Sequence, residues 1–310
     1  MKKKKLLNGD DIELTLLALP TTIWYLMFAY LPMFGVIIAF KKFKFIPGGT
    51  FIDSLLKSKW VGLDNFKFLF ATPDAALMFR NTLAYNAVFI IVGMVITVSL
   101  ALMISQLHSQ KFAKIVQTAM FMPFFLSMVV VSYFVFSFLS ADKGMVNNML
   151  RSMGLETIQW YLTPGYWPGI LLFINVWKGM GYGMVLYLAA ITGIDASLYE
   201  AAIIDCASKW QQMKYITLPM LQPIIIILFI MSVGRIFSSD FGLFYQVPRN
   251  SGPLVDVTQT IDVYVYKALT GMNNLGFSSA AAFMQSVLGL ITIVSANYIV
   301  TKVDKESALF

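Results

Sequence analysis

The chain has 310 residues, of which 58% are hydrophobic and only 13% charged, and its mean hydropathy is +0.72. An ordinary soluble domain carries about 25% charged residues, and a soluble fold of this size needs more polar surface than these side chains supply, so the composition points to a membrane protein. The net charge of +7 does not indicate nucleic acid, because the basic residues are scattered between apolar stretches; lone Cys206 excludes an intramolecular disulfide, and lone His108 leaves no metal-ligand cluster.

About 20 apolar residues cross a bilayer as a helix, which satisfies its own backbone where water is absent. Six segments reach or approach that length: 14–40, 82–106, 115–140, 168–192, 220–237 and 278–301. They predict an all-α membrane protein with a six-span domain at 14–301, between tails at 1–13 and 302–310. The first segment follows Lys2 to Lys5 but is too long for a signal-peptide core and ends in Ala39-Phe40-Lys41-Lys42, with no small-residue cleavage site. It is expected to remain as a span.

Six crossings put both termini on one side, together with the loops at 107–114 and 193–219. That side carries Lys2 to Lys5, Lys111, Lys114, Lys209, Lys214, Lys302 and Lys305. The opposite side carries as much, most of it at 41–81 in Lys41, Lys42, Lys44, Lys57, Lys59, Lys67 and Arg80. Basic residues alone therefore do not orient the chain. In that loop Phe43, Phe45, Trp60, Phe66, Phe68 and Phe70 interleave the charges, a pattern suited to packing along the membrane interface.

The fourth span contains Asn175, Trp177, Lys178, Tyr182 and Tyr187. Trp177 and Gly181 are four apart, as are Lys178 and Tyr182, so a helix presents an aromatic, a cation and a flat glycine surface within one sector. A lysine this deep costs roughly 2.5–3.5 kcal/mol on insertion scales and must face protein or water. It serves either a cavity or gate, or a structural role, snorkelling or paired with a carboxylate such as Asp240. Arg235, near the outer end of the fifth span, has the same two readings. Gly179, Gly181 and Gly183 alternate as in a nucleotide-binding turn, but no strand precedes them, and close helix packing explains them better.

Between the fourth and fifth spans lies Leu198-Tyr199-Glu200-Ala201-Ala202-Ile203-Ile204-Asp205-Cys206-Ala207-Ser208-Lys209-Trp210, then Ile216-Thr217-Leu218-Pro219 and Pro223. The composition predicts two short helices, with Pro219 and Pro223 marking where the second meets the membrane span. This segment resembles the signature of permease subunits of ATP-binding-cassette importers, E-A-A, two residues, D-G-A, and later I-x-L-P. Glu200-Ala201-Ala202, Asp205, Ala207, Ile216, Leu218, Pro219, Leu221 and Pro223 match in register. Cys206 stands where the family has glycine, so either the bend uses ordinary backbone or Cys206 bears a strain of about 1 kcal/mol. Met213 replaces the usual aromatic, a mild change for so flexible a side chain.

The resemblance implies the type I importer permease fold, with this loop forming coupling helices that dock on a nucleotide-binding subunit. Glu200, Ala201, Ala202, Asp205, Cys206, Ala207, Leu218 and Pro219 are then the docking residues. Trp177-Lys178-Gly179, Tyr187-Leu188-Ala189-Ala190, Asp240-Phe241-Gly242-Leu243-Phe244-Tyr245, Tyr264-Val265-Tyr266 and the tail Glu306-Ser307-Ala308-Leu309-Phe310 place the resemblance closest to carbohydrate-uptake permeases, in the branch importing oligosaccharides and polysaccharide fragments. A sugar pathway needs aromatic faces and hydroxyl-binding groups, for which Asn175, Trp177, Lys178, Tyr182, Tyr187, Arg235 and Asp240 are the candidates. Basic Lys178 and Arg235 would suit an acidic sugar.

No G-x-x-x-x-G-K-[ST] loop, catalytic triad or metal cluster is present, so the chain is not expected to be an enzyme or to hold a cofactor. The resemblance implies partners: two nucleotide-binding ATPase subunits holding ATP and Mg, a second homologous permease, and an extracellular substrate-binding protein docking on the loops at 41–81, 141–167 and 238–277. The implied location is the bacterial plasma membrane, multi-pass, with both termini cytoplasmic. The alternatives are an importer permease for a non-sugar solute and, in a different class, an ion-coupled secondary transporter, which predicts carboxylates within the spans.

Overall fold

The computed structural model describes residues 9–71, 73–271 and 274–303, so Lys2 to Lys5, Lys305 and the tail Glu306 to Phe310 lie outside the described residues. Five helices are long and apolar enough to cross a membrane, and a bent helix pair makes a sixth candidate. The described residues form two compact units.

In the first unit, α1 (Gly9–Tyr25) continues through a π-turn at Leu26–Tyr30 and a 3-10 stretch at Phe34–Phe40 as the apolar span Glu13–Phe40. The widened turn lies just before Pro32, whose ring in a regular helix clashes with the carbonyl four residues earlier. The segment at 41–71, expected only to lie along the interface, is folded. Strand β1 (Lys41–Lys42) pairs antiparallel with β2 (Lys59–Trp60), and α2 (Phe51–Lys57) lies between them in sequence. Thr50 and Asp53 close a capping box at the start of α2, and the Lys41 ammonium donates to the Leu55 carbonyl at its end, 2.7 Å away.

Helix α3 (Asp64–Ala71) follows. Its buried Asn65 donates to the carbonyls of Ala39 and Lys41 at 2.8 and 2.9 Å. Phe40 stacks on Trp60 at 5.8 Å and meets Phe66 and Phe283. Phe43 contacts Phe45 and Phe51, while Phe45 and Phe70 are exposed.

The second unit is built on α4 (Pro73–Ser105), α5 (Gln110–Phe121), α6 (Met128–Leu139), α7 (Met145–Ser152), α8 (Trp167–Thr192), α9 (Ala196–Ile204), α10 (Lys209–Gln212) and α11 (Leu218–Val233). Helices α12 (Ile261–Gly271) and α13 (Leu275–Val303) close the chain. The second, fourth and sixth expected spans are found in α4, α8 and α13, with α4 starting nine residues earlier than residue 82.

The third and fifth expected spans need correction. Residues 115–140 are not one straight helix: α5 runs into a 3-10 turn at Met122–Phe125, Leu126 is extended, and α6 restarts at a bend of 98°. Pro123 cannot donate to the helix ladder, and the Ser127 hydroxyl accepts from the Val130 amide to cap the new helix. The helix expected at 220–237 is part of the longer candidate span Lys209–Val233, since α10 passes through a π-turn at Met213–Thr217 directly into α11, and it ends four residues earlier than residue 237. The expected second short helix is therefore the first part of the span. Pro219 does not end it, because the π-turn makes room for its ring, as before Pro32.

The largest buried cluster joins Trp167, Leu171 and Ile174 of α8 to Leu243, Phe244, Val247 and Leu254. Fully buried Asn147 organises the loop after α6, donating to the Ala141 and Ile158 carbonyls and accepting from the Ile158 amide and the Trp160 indole.

Candidate functional site

Helices α4, α8 and α11 enclose a cleft of about 550 Å³. Its apolar wall includes Phe89, Met94, Leu228 and Phe229; its polar groups are Asn86, Thr97, Asn175, Ser232 and Arg235, with Tyr182 and Tyr187 offering both characters. Aromatic faces beside amide, hydroxyl and guanidinium groups in a mostly apolar cavity are suited to a polyhydroxylated ligand. Four of the seven sequence candidates, Asn175, Tyr182, Tyr187 and Arg235, meet here.

The other three lie elsewhere. Trp177 packs against the large buried cluster. Lys178 donates to the Phe124 carbonyl at 3.0 Å, with its ammonium 5.5 Å from the Phe124 ring centre. In a continuous helix that carbonyl would accept from the Met128 amide; at the break the lysine serves it instead. Tyr182 stacks on the same Phe124 ring at 4.8 Å, so the Lys178 and Tyr182 spacing does place both in one sector. Asp240 accepts from the Leu243 amide at 3.1 Å. Among the described residues it forms no ion pair with Lys178 or Arg235.

Of the alternating glycines, Gly181 abuts the Met120 carbonyl and the Phe121 backbone, and a Cβ on Gly183 would stand 2.7 Å from the Thr97 methyl. Both let helices approach closely. Gly179 faces open space. The contribution of α4 to the cleft was not foreseen; Asn86 was its sequence signal, an amide in an apolar run. Its side chain donates to the Ile236 and Ser238 carbonyls just past α11, at 2.7 and 2.9 Å.

The second candidate site is the loop carried by α9. Asp195 caps the helix by accepting from the Ser197 amide at 3.0 Å, a bond that holds its carboxyl below the usual range. Glu200 and Ala201 are exposed and Ala202 is half-buried. The helix ends in a Schellman motif, with the Cys206 amide bonding to the Ile203 carbonyl at 3.0 Å and the Ala207 amide to the Ala202 carbonyl at 2.9 Å. Cys206 adopts φ 55°, the left-handed conformation that favours glycine. Of the two readings open for this position, the strained one holds.

Asp205 stands exposed at the C-cap, beside Ile203 and Ile204, and Ile204 is 81% exposed. Ala207 accepts from the buried Gln212 side chain at 3.1 Å, while Leu218 and Pro219 are exposed on the first turn of α11. The Tyr199 and Thr217 hydroxyls are 2.9 Å apart, joining α9 to the π-turn of the fifth span.

Residues 93–305 match the family described as binding-protein-dependent transport system inner membrane component. The chain is 33% identical over 296 residues to protein LplB of Bacillus subtilis, covering 96% of this chain and 91% of that one. It is 32% identical to the polygalacturonan/rhamnogalacturonan transport system permease protein YteP of the same organism, covering 98% and 93%. Among solved structures it is similar to a chain of a bacterial alginate transporter in complex with an alginate pentasaccharide-bound periplasmic protein, with TM-score 0.84, 31% identity and 96% coverage of each chain.

Proposed function

Because the chain belongs to the family of binding-protein-dependent transport system inner membrane components, we propose that it is a permease subunit of an ATP-driven sugar or oligosaccharide importer, forming half of the translocation pathway. One observation carries the reading. The continuous helix Lys209–Val233 holds Thr217, bonded to the E-A-A helix, at one end and Leu228, Phe229, Met231 and Ser232, which line the cleft, at the other. A movement imposed on α9 therefore has a rigid route to the cleft wall.

In this reading Glu200, Ala201, Ala202, Asp205, Cys206, Ala207, Leu218 and Pro219 face a nucleotide-binding ATPase. Exposed Glu200 and Asp205 offer carboxylates to its basic groups, small Ala201 permits close approach, and Ile203 and Ile204 supply an apolar contact. ATP and Mg belong to two such partner subunits, since this sequence contains no phosphate-binding loop. A second homologous permease completes the pathway, and an extracellular binding protein delivers substrate. The protein is multi-pass in the bacterial plasma membrane, with both termini cytoplasmic.

The cleft favours an acidic oligosaccharide. Arg235 is its cation, and two similar proteins are named for polygalacturonan/rhamnogalacturonan and alginate transport. The test is a mild-detergent pull-down of the tagged chain, followed by ATPase and uptake assays in proteoliposomes with acidic and neutral oligosaccharides and the binding protein. Recovery of an ATPase and a second permease, with hydrolysis stimulated by the acidic sugar, supports the reading. A chain that purifies alone and transports on an ion gradient overturns it.

A further inference from the structure

The first unit carries a basic cleft in the 41–81 loop, one of the three loops expected to receive the binding protein. Lys42, Lys44, Lys57 and Lys59, with Ile46 and Ser58, line a cavity of about 370 Å³. Lys42 and Lys59 are direct partners across the β1–β2 ribbon, a placement that like charges disfavour. All four side chains are exposed, and none has a carboxylate partner among the described residues. Residues 41–60 contain five lysines and one acidic residue, Asp53, whose carboxylate is engaged by Thr50 in the capping box. Lys41, the fifth lysine, is held by the end of α2. The remaining four repel one another around a space with no carboxylate among the described residues that line it; Asp64, in the adjoining cavity, is paired with Lys67.

We propose that this cleft binds the phosphate of an anionic phospholipid headgroup. Three features favour a lipid over an acidic protein or a free anion. The ribbon begins at Lys41, the residue after the first span ends at Phe40, and so lies at headgroup depth. Phe45 in the loop after β1, Ile52 and Leu56 of α2 and Trp60 of β2 are each at least 60% exposed and suited to the acyl boundary. The scaffold is pre-folded, since the capping box, the Lys41 contact and the Lys44 amide donating to Ser58 at 3.1 Å hold it without a ligand. The proposal rests on the membrane placement of the chain and not on its substrate.

The test is native mass spectrometry of the purified full chain titrated with phosphatidylglycerol or phosphatidylcholine. The unmodified chain is expected to retain phosphatidylglycerol preferentially, and to lose that preference as salt is raised. A surface lysine contributes roughly fivefold to anionic-lipid binding, so K57Q/K59Q should lower the preference by roughly 25-fold, and K42Q/K44Q/K57Q/K59Q should abolish it. The fourfold arginine variant should keep it, which separates charge from folding. Equal retention of both lipids by the unmodified chain, or an unchanged preference in K57Q/K59Q, overturns the proposal. So does displacement of the lipid by millimolar inorganic phosphate, which makes the site one for a free anion. Lysine substitutions that spare lipid retention but abolish capture of the binding protein would assign the cleft to protein docking instead.

Discussion

The Tyr199 and Thr217 hydroxyls are 2.9 Å apart, and this bond links the E-A-A helix to buried Thr217, the last residue of the π-turn in the fifth span. Thr217 Oγ1 also approaches the Gln212 carbonyl at 3.4 Å, so the turn that accommodates Pro219 also receives the E-A-A helix. Tyr199→Phe keeps the ring and removes the bond. A hydrogen bond of this kind contributes about 1 kcal/mol, and the expected result is intact assembly with transport per ATP hydrolysed reduced several-fold. Parallel uptake and ATPase assays on reconstituted complexes check it; unchanged stoichiometry would remove Tyr199 from the coupling route.

Cys206 is a second point of leverage. Its left-handed backbone closes the Schellman motif at the end of α9. Glycine adopts that conformation freely, so Cys206→Gly should stabilise the motif by about 1 kcal/mol and Cys206→Val should weaken it by at least as much. Hydrogen exchange at the Ala207 amide, bonded to the Ala202 carbonyl, reads the effect directly. Slower exchange in the glycine variant and faster exchange in the valine variant are expected; the reverse order would place the strain elsewhere.

Lys178 binds the Phe124 carbonyl where the third apolar segment breaks. Lys178→Met leaves that carbonyl without its charged donor, at a cost of about 1.5–3 kcal/mol. The expected effect is faster proteolysis or exchange around residues 122–128 and weaker transport, with partial rescue by Lys178→Arg, while selectivity between acidic and neutral sugars is unchanged. Arg235→Gln should do the opposite, lowering uptake of acidic sugars while leaving the break intact. A Lys178→Met protein with altered charge selectivity would return the lysine to the pathway.

Much of this was legible in the sequence. The E-A-A spacing marked the helix and cap at 196–207 because that pattern is local, and the glycine-to-cysteine departure at Cys206 left two backbone conformations open, of which the structure has the left-handed one. The break at 126–127 was obscured because Met128 to Leu139 continue the hydropathy of the residues before Pro123; only Pro123 and Ser127 signalled it. The early start of the fifth span was masked by Lys209, Gln211, Gln212 and Lys214, polar residues on a helix that has not yet reached the apolar core. The cleft depended on which faces of α4, α8 and α11 meet, and a single sequence does not encode that pairing in its periodicity. Lys178 and Asp240 therefore suggested a pair, yet each engages backbone.

The three glycines of α8 permit a graded test of its packing. Gly179 has open space where a Cβ would sit, so Gly179→Ala should be neutral or stabilise the helix by up to about 1 kcal/mol through its better propensity. Gly183 faces the Thr97 methyl at 2.7 Å, a side chain that can give only by leaving its bonds to the Gly93 and Met94 carbonyls. Gly183→Ala should therefore cost about 1–3 kcal/mol. Gly181 abuts the backbone of Met120 and Phe121, which is held in the last turn of α5 and has no rotamer to change, so Gly181→Ala should be the most damaging of the three. Thermal unfolding of the three variants in detergent should give the order Gly179, Gly183, Gly181 from mildest to worst. The last two should differ in rescue: Thr97→Ser, which deletes the obstructing methyl, should restore Gly183→Ala and leave Gly181→Ala unimproved. Equal effects at all three positions would mean that α8 does not pack against α4 and α5 as described.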